Sequence, residues 1–436
     1  MLEKLFKLQE KGSSVKIEVM AGLTTFLTMA YIIFLNPAIL SNGANMEEGA
    51  VLLATCVAAF AATVLMGLYA NLPIAQAPGM GENFYFIIVV TALVKMNVTN
   101  SWQVALGIVF IAGIVFLLLS LLRVRKAIID AVSPSIKNSI AVGIGLLIAF
   151  IGFQNGGIIL DAQGSLVQFN SNLLQAEPLI FFAGLFITSV LFVRKVRGAI
   201  IYGIIASTII AVIAGKVSFS GVIGLPEQHA IFKLDILGAL KLHFIPFILI
   251  FLFMDMFDTM GTLIGVGEQM DIMQDNKLPG GNRAMISDAV GTVVGACTGT
   301  STVTSYIESA VGVQYGGRTG LTSVVAGLLF LFALFFKPVV GMVGQYMPIT
   351  APALVIVGAM MVRNVSKIDW SDYSEAIPAF LIILGIPLSY NIHDGLAMGF
   401  IAYPIIKLCS GKGKEINWLM GLVAVIFILR YVLIKT

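Results

Sequence analysis

The sequence predicts an all-α polytopic membrane protein of about fourteen spans in two inverted repeats of seven, and three observations carry that prediction. Of 436 residues, 58% are hydrophobic and only 11% are charged, against roughly 25% charged in an ordinary soluble domain. So few charges cannot cover a globule in water. Apolar runs of span length recur from end to end, with Lys and Arg gathered in alternate loops. Two of the runs are broken by polar, glycine-containing stretches, each in the third run of its half: Gln76-Ala77-Pro78-Gly79-Met80-Gly81-Glu82-Asn83 and Thr298-Gly299-Thr300-Ser301-Thr302-Val303-Thr304-Ser305-Tyr306-Ile307-Glu308. Backbone that Pro and Gly unwind survives at membrane depth only where protein or a water-filled cavity receives the freed N–H and C=O groups. A matched pair in the two halves points to a transport site.

Taken in order, residues 1–16 are basic and amphipathic and read as a cytoplasmic lead-in rather than a cleavable signal, because the run behind them has the length of a span. The first half then holds runs at 17–38, 49–71, 74–96, 103–122, 136–153, 177–193 and 198–215. The second holds 242–266, 284–298, 302–315, 319–336, 350–362, 375–390 and 391–409. These place the first repeat at 17–225, an extracellular connection at 226–241 and the second repeat at 242–414. The remaining stretch, 415–436, either crosses once more or lies along the cytoplasmic face, which its Trp418, Arg430 and Tyr431 suit.

Orientation follows from the basic residues. Lys4, Lys7, Lys11 and Lys16 put the N-terminus inside, and Arg123, Arg125, Lys126, Lys137, Arg194, Lys277, Arg318, Arg363 and Lys412 fall on the same side, whereas 39–48 and 154–176 carry no Lys or Arg. Lys216, Lys233 and Lys241 run against this pattern, in a connection long enough to weaken it. Repeats with an odd number of spans run in opposite directions, so an in-plane pseudo-two-fold axis relates them. Cys56, Cys297 and Cys409 sit singly in apolar segments and form no disulfide framework. The net charge of +3 is spread over loops and gives no nucleic-acid surface.

A charge at the bilayer centre costs at least ~2.5–3.5 kcal/mol on insertion scales, which makes intramembrane acids the first functional suspects. Asp255 and Asp258 stand three residues apart in one run, Glu308 ends the second broken stretch and Glu82 belongs to the first. These four are the candidates for proton coupling, since facing carboxylates disfavour each other's charged forms. Their structural alternative is a packing pair with a neighbouring helix. Around them Gly81, Asn83, Thr300, Ser301 and Thr302 offer backbone and side-chain hydrogen bonds to a ligand, and Phe84 and Tyr306 offer aromatic faces. Close helix packing is the plain alternative for the Gly and Thr residues. His393 and Asp394 read as a helix start. Carboxylates, a carboxamide and exposed backbone edges suit a planar heterocycle with several N–H and C=O groups, such as a purine; composition alone admits an amino acid or an inorganic anion as well.

At these residues the chain resembles a known family. Ala21-Gly22-Leu23-Thr24-Thr25-Phe26-Leu27-Thr28-Met29-Ala30-Tyr31 with Asn36-Pro37, then Ala77-Pro78-Gly79-Met80-Gly81, Asp255-Met256-Phe257-Asp258-Thr259, Thr300 to Ser309 and Gly316-Gly317-Arg318-Thr319-Gly320-Leu321-Thr322 are similar to the AzgA-like adenine/guanine/hypoxanthine permeases, a branch of the nucleobase and ascorbate transporters. The resemblance covers nearly the whole chain. It implies a core domain that holds substrate, a gate domain, short strands in the third and tenth spans, proton-coupled purine uptake across the cell membrane by alternating access, and a homodimer. It also implies that Asn83, Asp255 with Asp258 as helper, and Glu308 meet the substrate. Where many members carry Leu after Gly-Met-Gly, this chain has Glu82. The competing expectations are a symporter for uracil, xanthine or a small anion, and a passive channel with a Gly/Thr-rich filter. An intramembrane enzyme needs a nucleophile with its base, or metal ligands, and the spans provide neither; no cofactor is expected.

Overall fold

The computed structural model describes residues 2–122, 132–162, 165–225, 231–272 and 278–433. The expected cytoplasmic residues Arg123, Arg125, Lys126 and Lys277, and the first part of the 226–241 connection, lie outside the described residues, as does the side chain of His393. The described chain is predominantly helical. Among the described residues, six helical stretches are long and apolar enough to cross a membrane: Val15–Ala44, Glu48–Ala70, Ser101–Leu121, Pro134–Asn155, Ala176–Val193 and Leu242–Gln269. Shorter apolar helices and the two broken segments take up most of the other expected spans.

After a short α1 (Leu2–Phe6), the first expected span is one stretch from Val15 to Ala44 in two pieces, α2 (Val15–Met29) and α3 (Ile32–Ala44). It is longer than the 17–38 run because the helix continues through polar Ser41 and Asn42. The break at Ala30–Tyr31 precedes Pro37, whose ring excludes the carbonyl of Ile33 and loosens the turn before it. Next come α4 (Glu48–Leu65), extended by one π-helical turn to Ala70, then strand β1 (Gln76–Pro78), α5 (Met80–Lys95) and α6 (Ser101–Leu121). The half closes with α7 (Pro134–Asn155), α8 (Ala176–Val193) and α9 (Ala199–Ile213).

The second half repeats the order. A short α10 (Ile236–Ala239) leads to α11 (Ile245–Gln269), α12 (Gly281–Thr298), strand β4 (Val303–Ser305), α13 (Ser309–Gln314) and α14 (Gly320–Ala333). Then follow α15 (Lys337–Gly344), α16 (Ala351–Val362), α17 (Tyr373–Ser389), α18 (Ile392–Cys409) and α19 (Trp418–Leu433). The strands expected in the third and tenth spans are present and pair with each other. A second antiparallel hairpin, β2 (Ile159–Ala162) with β3 (Ser165–Phe169), stands in the 154–176 loop, where only a connection was expected.

Packing sorts the helices into two bundles, each drawn from both halves. One contains α2 to α6 and α11 to α14 around the paired strands; the other contains α7, α8, α9, α16, α17 and α18, with α19 against α18. The two halves therefore interlock rather than fold side by side. The described part of the 226–241 connection lies over the first bundle, with Phe232 N–H on the Cys297 carbonyl (2.7 Å) and Asp235 N–H on the Gln103 carbonyl (2.8 Å). At the far end of the second bundle, Lys407 is 2% exposed and meets Glu415 at 2.6 Å and Glu375 at 2.9 Å. In the loop beside it, hydrogen bonds from Lys412 and Ser374 hold Asp372 below the usual carboxylate range.

Helix association in lipid depends on close backbone approach. A Cβ at Gly358 would stand 2.4 Å from the Gly145 carbonyl, and a Cβ at Gly145 would stand 2.8 Å from that of Gly358, so α7 and α16 touch backbone to backbone. We predict that Gly358→Leu forces this crossing apart and costs about 1–3 kcal/mol, as overpacking does. The apparent melting temperature in detergent should fall, while Gly421→Leu, at a glycine with no atom within 4 Å of its Cβ position, leaves it unchanged.

Candidate functional site

The site is built around one short antiparallel ladder. Gln76 pairs with Ser305, Ala77 with Thr304 and Pro78 with Val303, so each broken segment receives backbone groups that the other frees. Gly79 N–H continues the ladder to the Thr302 carbonyl at 3.0 Å, and Tyr306 N–H closes its other end on Ala75 at 3.0 Å. Side chains finish the edges. Thr63 donates to the Gln76 carbonyl and accepts its N–H, both at 2.8 Å, while the Tyr306 hydroxyl donates to the Pro78 carbonyl at 2.6 Å. Asn36, just before the proline of α3, donates to Thr55 (2.7 Å) and to Thr300 (2.8 Å), tying the approach to β4 into the bundle.

Behind β4 stand α11 and α12, which present the same Asp-then-Thr spacing. Asp255 and Thr259 lie four apart on α11, and Asp288 and Thr292 lie four apart on α12, so each pair shares a helical face. They are cross-connected: Thr292 donates to Asp255 Oδ2 at 2.7 Å and Thr259 donates to Asp288 Oδ1 at 2.6 Å. Both hydroxyls also accept from β4, Thr292 from Val303 N–H and Thr259 from Ser305 N–H, each at 3.1 Å. Gln76 Nε2 reaches Asp288 Oδ1 at 2.6 Å and Ser305 Oγ at 3.0 Å. Asp255 and Asp288 are 1% and 0% exposed.

In front of the ladder the groups are less enclosed. Tyr31, at the corner of the broken first span, donates its hydroxyl to Glu308 Oε1 at 2.6 Å. Glu308 is half-buried and Asp258 exposed, its carboxylate 3.4 Å from the Thr304 hydroxyl. Ser301 hydrogen-bonds Asn83 Oδ1, which leaves the buried Asn83 Nδ2 without a partner; the Thr302 hydroxyl is also unpartnered. Glu82 is buried, folds back over Gly79 and accepts its own backbone N–H in the first turn of α5, where a carboxylate complements the helix dipole. Among the described residues, no Lys or Arg forms an ion pair with Glu82, Asp255, Asp258, Asp288 or Glu308.

One stripe of α11 shows how the site is reached. Phe247, Phe251 and Met254 are buried; one turn on, along the same 3–4 spacing, Asp258, Gly261 and Glu268 are exposed. A Cβ at Gly81 would meet Ile144 of α7 at 3.0 Å and Met254 at 3.7 Å, so the two bundles close together there. A Cβ at Gly261 would meet nothing within 4 Å. The inter-bundle cleft is thus sealed beside Met254 and open beyond Asp258, toward the C-terminal end of α11. On the sealed side, Phe84 lines an apolar cavity of about 210 Å³ with Ile39, Ile87, Leu147, Ile151 and Leu354.

The structure brings Asn83, Thr300, Ser301, Thr302, Tyr306, Glu308 and Asp258 to the ladder, with Glu82 at the start of α5. It places Gly81 against α7, Phe84 in the apolar cavity, and Asp255 behind β4 on the side away from Glu308. Sequence reasoning assigned no role to Tyr31, Gln76, Thr292 or Asp288. Asp288 was within reach of the rule applied to the other acids, since it is a carboxylate inside the 284–298 run; Tyr31 stood in a quoted motif with nothing to mark its hydroxyl.

Comparison with known proteins agrees with this architecture. Residues 16–398 match the model of a family described as the Permease family. The chain is 39% identical to adenine permease AdeQ of Escherichia coli (strain K12) over 436 residues, covering 99% of this chain and 96% of that protein. It is 41% identical to guanine/hypoxanthine permease PbuO of Bacillus subtilis (strain 168) over 432 residues, covering 98% and 99%. Among solved structures, the transmembrane domain of a cyanobacterial bicarbonate transporter, BicA, aligns with a TM-score of 0.64 at 15% identity, covering 88% of this chain and 97% of that one. That likeness is one of fold.

Thr292 joins Asp255 to the backbone of β4, so its hydroxyl is the part of the site most exposed to a conservative test. Thr292→Val leaves a buried carboxylate oxygen and a buried N–H without partners, at about 1–3 kcal/mol each. We predict a lower melting temperature and loss of transport for Thr292→Val, and near-normal values for Thr292→Ser, measured side by side in detergent and in transport assays.

Proposed function

We propose, from the premise that the chain belongs to the permease family of nucleobase and ascorbate transporters, that it is a proton-coupled symporter importing purine bases. Hypoxanthine, guanine and adenine are the first candidates, in keeping with the names of the relatives. As a member of that family it is a multi-pass membrane protein and not an enzyme. One observation carries the substrate reading. Acceptors at Glu308 and Asp258 and unpartnered donors at Asn83 Nδ2 and Thr302 lie around the paired strands, and no described Lys or Arg is ion-paired with either acid.

That pattern suits a neutral, flat ligand. Ring N–H groups would donate to Glu308, which Tyr31 orients, while Asn83 Nδ2 would donate to a ring nitrogen or carbonyl; hydrogen bonds to a charged group contribute roughly 1.5–3 kcal/mol. An inorganic anion would meet several carboxylates with which no described Lys or Arg is ion-paired, which disfavours the anion alternative despite the shared fold. The close approach of Gly81, Met254 and Ile144 across the cleft speaks against the channel alternative. With the N-terminus inside, as the basic loops suggest, the open end of the cleft faces the cytoplasm. Import would then proceed by movement of the ladder bundle against the other bundle, exposing the same site to each side in turn. Asp255, Asp258, Glu308 and Glu82 remain the proposed pool of proton-coupling acids.

The test is uptake of labelled hypoxanthine, guanine and adenine into cells expressing the protein, with and without a protonophore. Expected are saturable accumulation of at least one base, its collapse with the protonophore, and its loss in Glu308→Ala. Uptake indifferent to Glu308→Ala would overturn the assignment. Tyr31→Phe removes one hydrogen bond from Glu308 and should raise KM by about tenfold, the equivalent of ~1.4 kcal/mol, with kcat less affected.

A further inference from the structure

Two buried carboxyl groups behind β4 have one oxygen each that nothing serves. Thr292 satisfies Asp255 Oδ2, and Thr259, Gln76 and Ser305 all converge on Asp288 Oδ1. Asp255 Oδ1 and Asp288 Oδ2 have no hydrogen-bond partner, although the side chains are 1% and 0% exposed. Thr292 of one helix bonds Asp255 of the other and Thr259 bonds Asp288 in return, which gathers the two carboxyls into one buried cluster. Two carboxylates offer acceptors only, so contact between them is favourable when one proton lies between and unfavourable when none does.

We propose that Asp288 and Asp255 together hold the coupled proton as a carboxyl pair sharing one hydrogen, behind the ladder and out of contact with the transported base. This rests on the proton-symport reading given above and assigns its proton to a place. The remaining titratable groups nearby are Asp258 one turn along α11, Glu82 from α5, and Tyr306 and Glu308 from the segment around β4; α6 presents no charged residue, α4 only Glu48 at its far end, and Arg283 of α12 is turned to the Tyr69 ring, 5.7 Å away. Among the described residues no Lys or Arg forms an ion pair with either carboxyl, so a shared proton supplies the positive charge between them. It neutralises one carboxylate while the other stays ionised and accepts from the ring of hydroxyl and amide donors.

The same donors hold the strands. Thr259 and Thr292 accept the N–H groups of Ser305 and Val303, and Gln76 belongs to β1. When the proton leaves, the two carboxylates repel and must draw on these donors separately, which shifts the hold on β4. Beyond the ends of β4 stand Ser301, bonded to Asn83, and Glu308, bonded to Tyr31. Proton occupancy behind the ladder is thereby linked to the geometry in front of it, with Asp288 and Asp255 as positioning residues that touch no substrate.

The protein reconstituted in proteoliposomes tests this with two transport modes. Labelled hypoxanthine is followed as accumulation driven by an inward proton gradient and as counterflow at equal pH against unlabelled base inside. Asp288→Asn keeps the donors' target and removes the shared proton: expected are loss of gradient-driven accumulation and retained counterflow, with Asp255→Asn behaving alike. Accumulation preserved in Asp288→Asn would overturn the proposal, and so would equal loss of both modes in a variant that still melts like the parent. Should Asp288→Asn fail to fold, Asp288→Glu decides. The protonated-carboxyl band in the infrared difference spectrum between low and high pH must then move relative to the parent protein, and an unmoved band refutes the pair. A parent protein that counterflows hypoxanthine but ignores the proton gradient fails the symport reading instead, while the infrared band still reports on the pair.

Discussion

Every feature of the site follows from the need to satisfy backbone hydrogen bonds where no water is available. Two spans are interrupted at the same depth, and neither could persist alone, because each exposed N–H or C=O in hydrocarbon costs several kcal/mol. They persist because they face each other: β1 and β4 form a ladder three residue pairs long. That ladder forces the two halves of the chain to interlock, since its strands come from opposite repeats. It also fixes where side chains can converge. Residues before and after each strand emerge at the crossing, so Asn83 and Ser301 meet across it even though 218 positions separate them.

The ladder is too short to hold itself, and the surrounding helices complete it. Thr63 serves one edge and Thr259 with Thr292 the other, each hydroxyl doing for the backbone what a third strand would do in a soluble sheet. The helices that carry Thr259 and Thr292 are thereby committed to lie directly behind β4. Their aspartates, one turn away on the same faces, are brought behind it as well. The acids are in this sense placed by the backbone's need for hydroxyls, on a scaffold that the strands already demand.

How much of this was legible in the sequence depended on whether a residue's role was set by local pattern or by contact. The spans, the two broken stretches and the acids at 82, 255, 258 and 308 could be read because low polarity and a costly charge are local facts. The three-residue spacing of Asp255 and Asp258, which sets two side chains on one helical face, is coarser than the outcome. Three residues turn a helix by about 300°, leaving the side chains about 60° apart, which is enough to put Asp255 behind β4 and Asp258 in the open cleft. Tyr31 became a site residue only through the kink that turns it toward Glu308, 277 positions away. The hairpin at 159–169 gave no alternating apolar signal, and Leu160, Asp161, Val167, Gln168 and Phe169 are all exposed.

The choice of partners for these acids has a consequence of its own. A buried carboxylate is commonly paired with Lys or Arg, and breaking such a pair costs about 3–5 kcal/mol because it leaves an uncompensated charge. Here the partners are the hydroxyls of Tyr31, Thr259, Thr292 and Ser305 and the amide of Gln76. A hydroxyl both donates and accepts, so it can follow a carboxyl group through a change of protonation without losing its own hydrogen bonds. Lys and Arg only donate and would lock the carboxylate in its charged form. Among the described residues no Lys or Arg is ion-paired with these acids, so hydroxyl and amide donors alone hold them, and the centre of the bundle is built without a fixed ion pair.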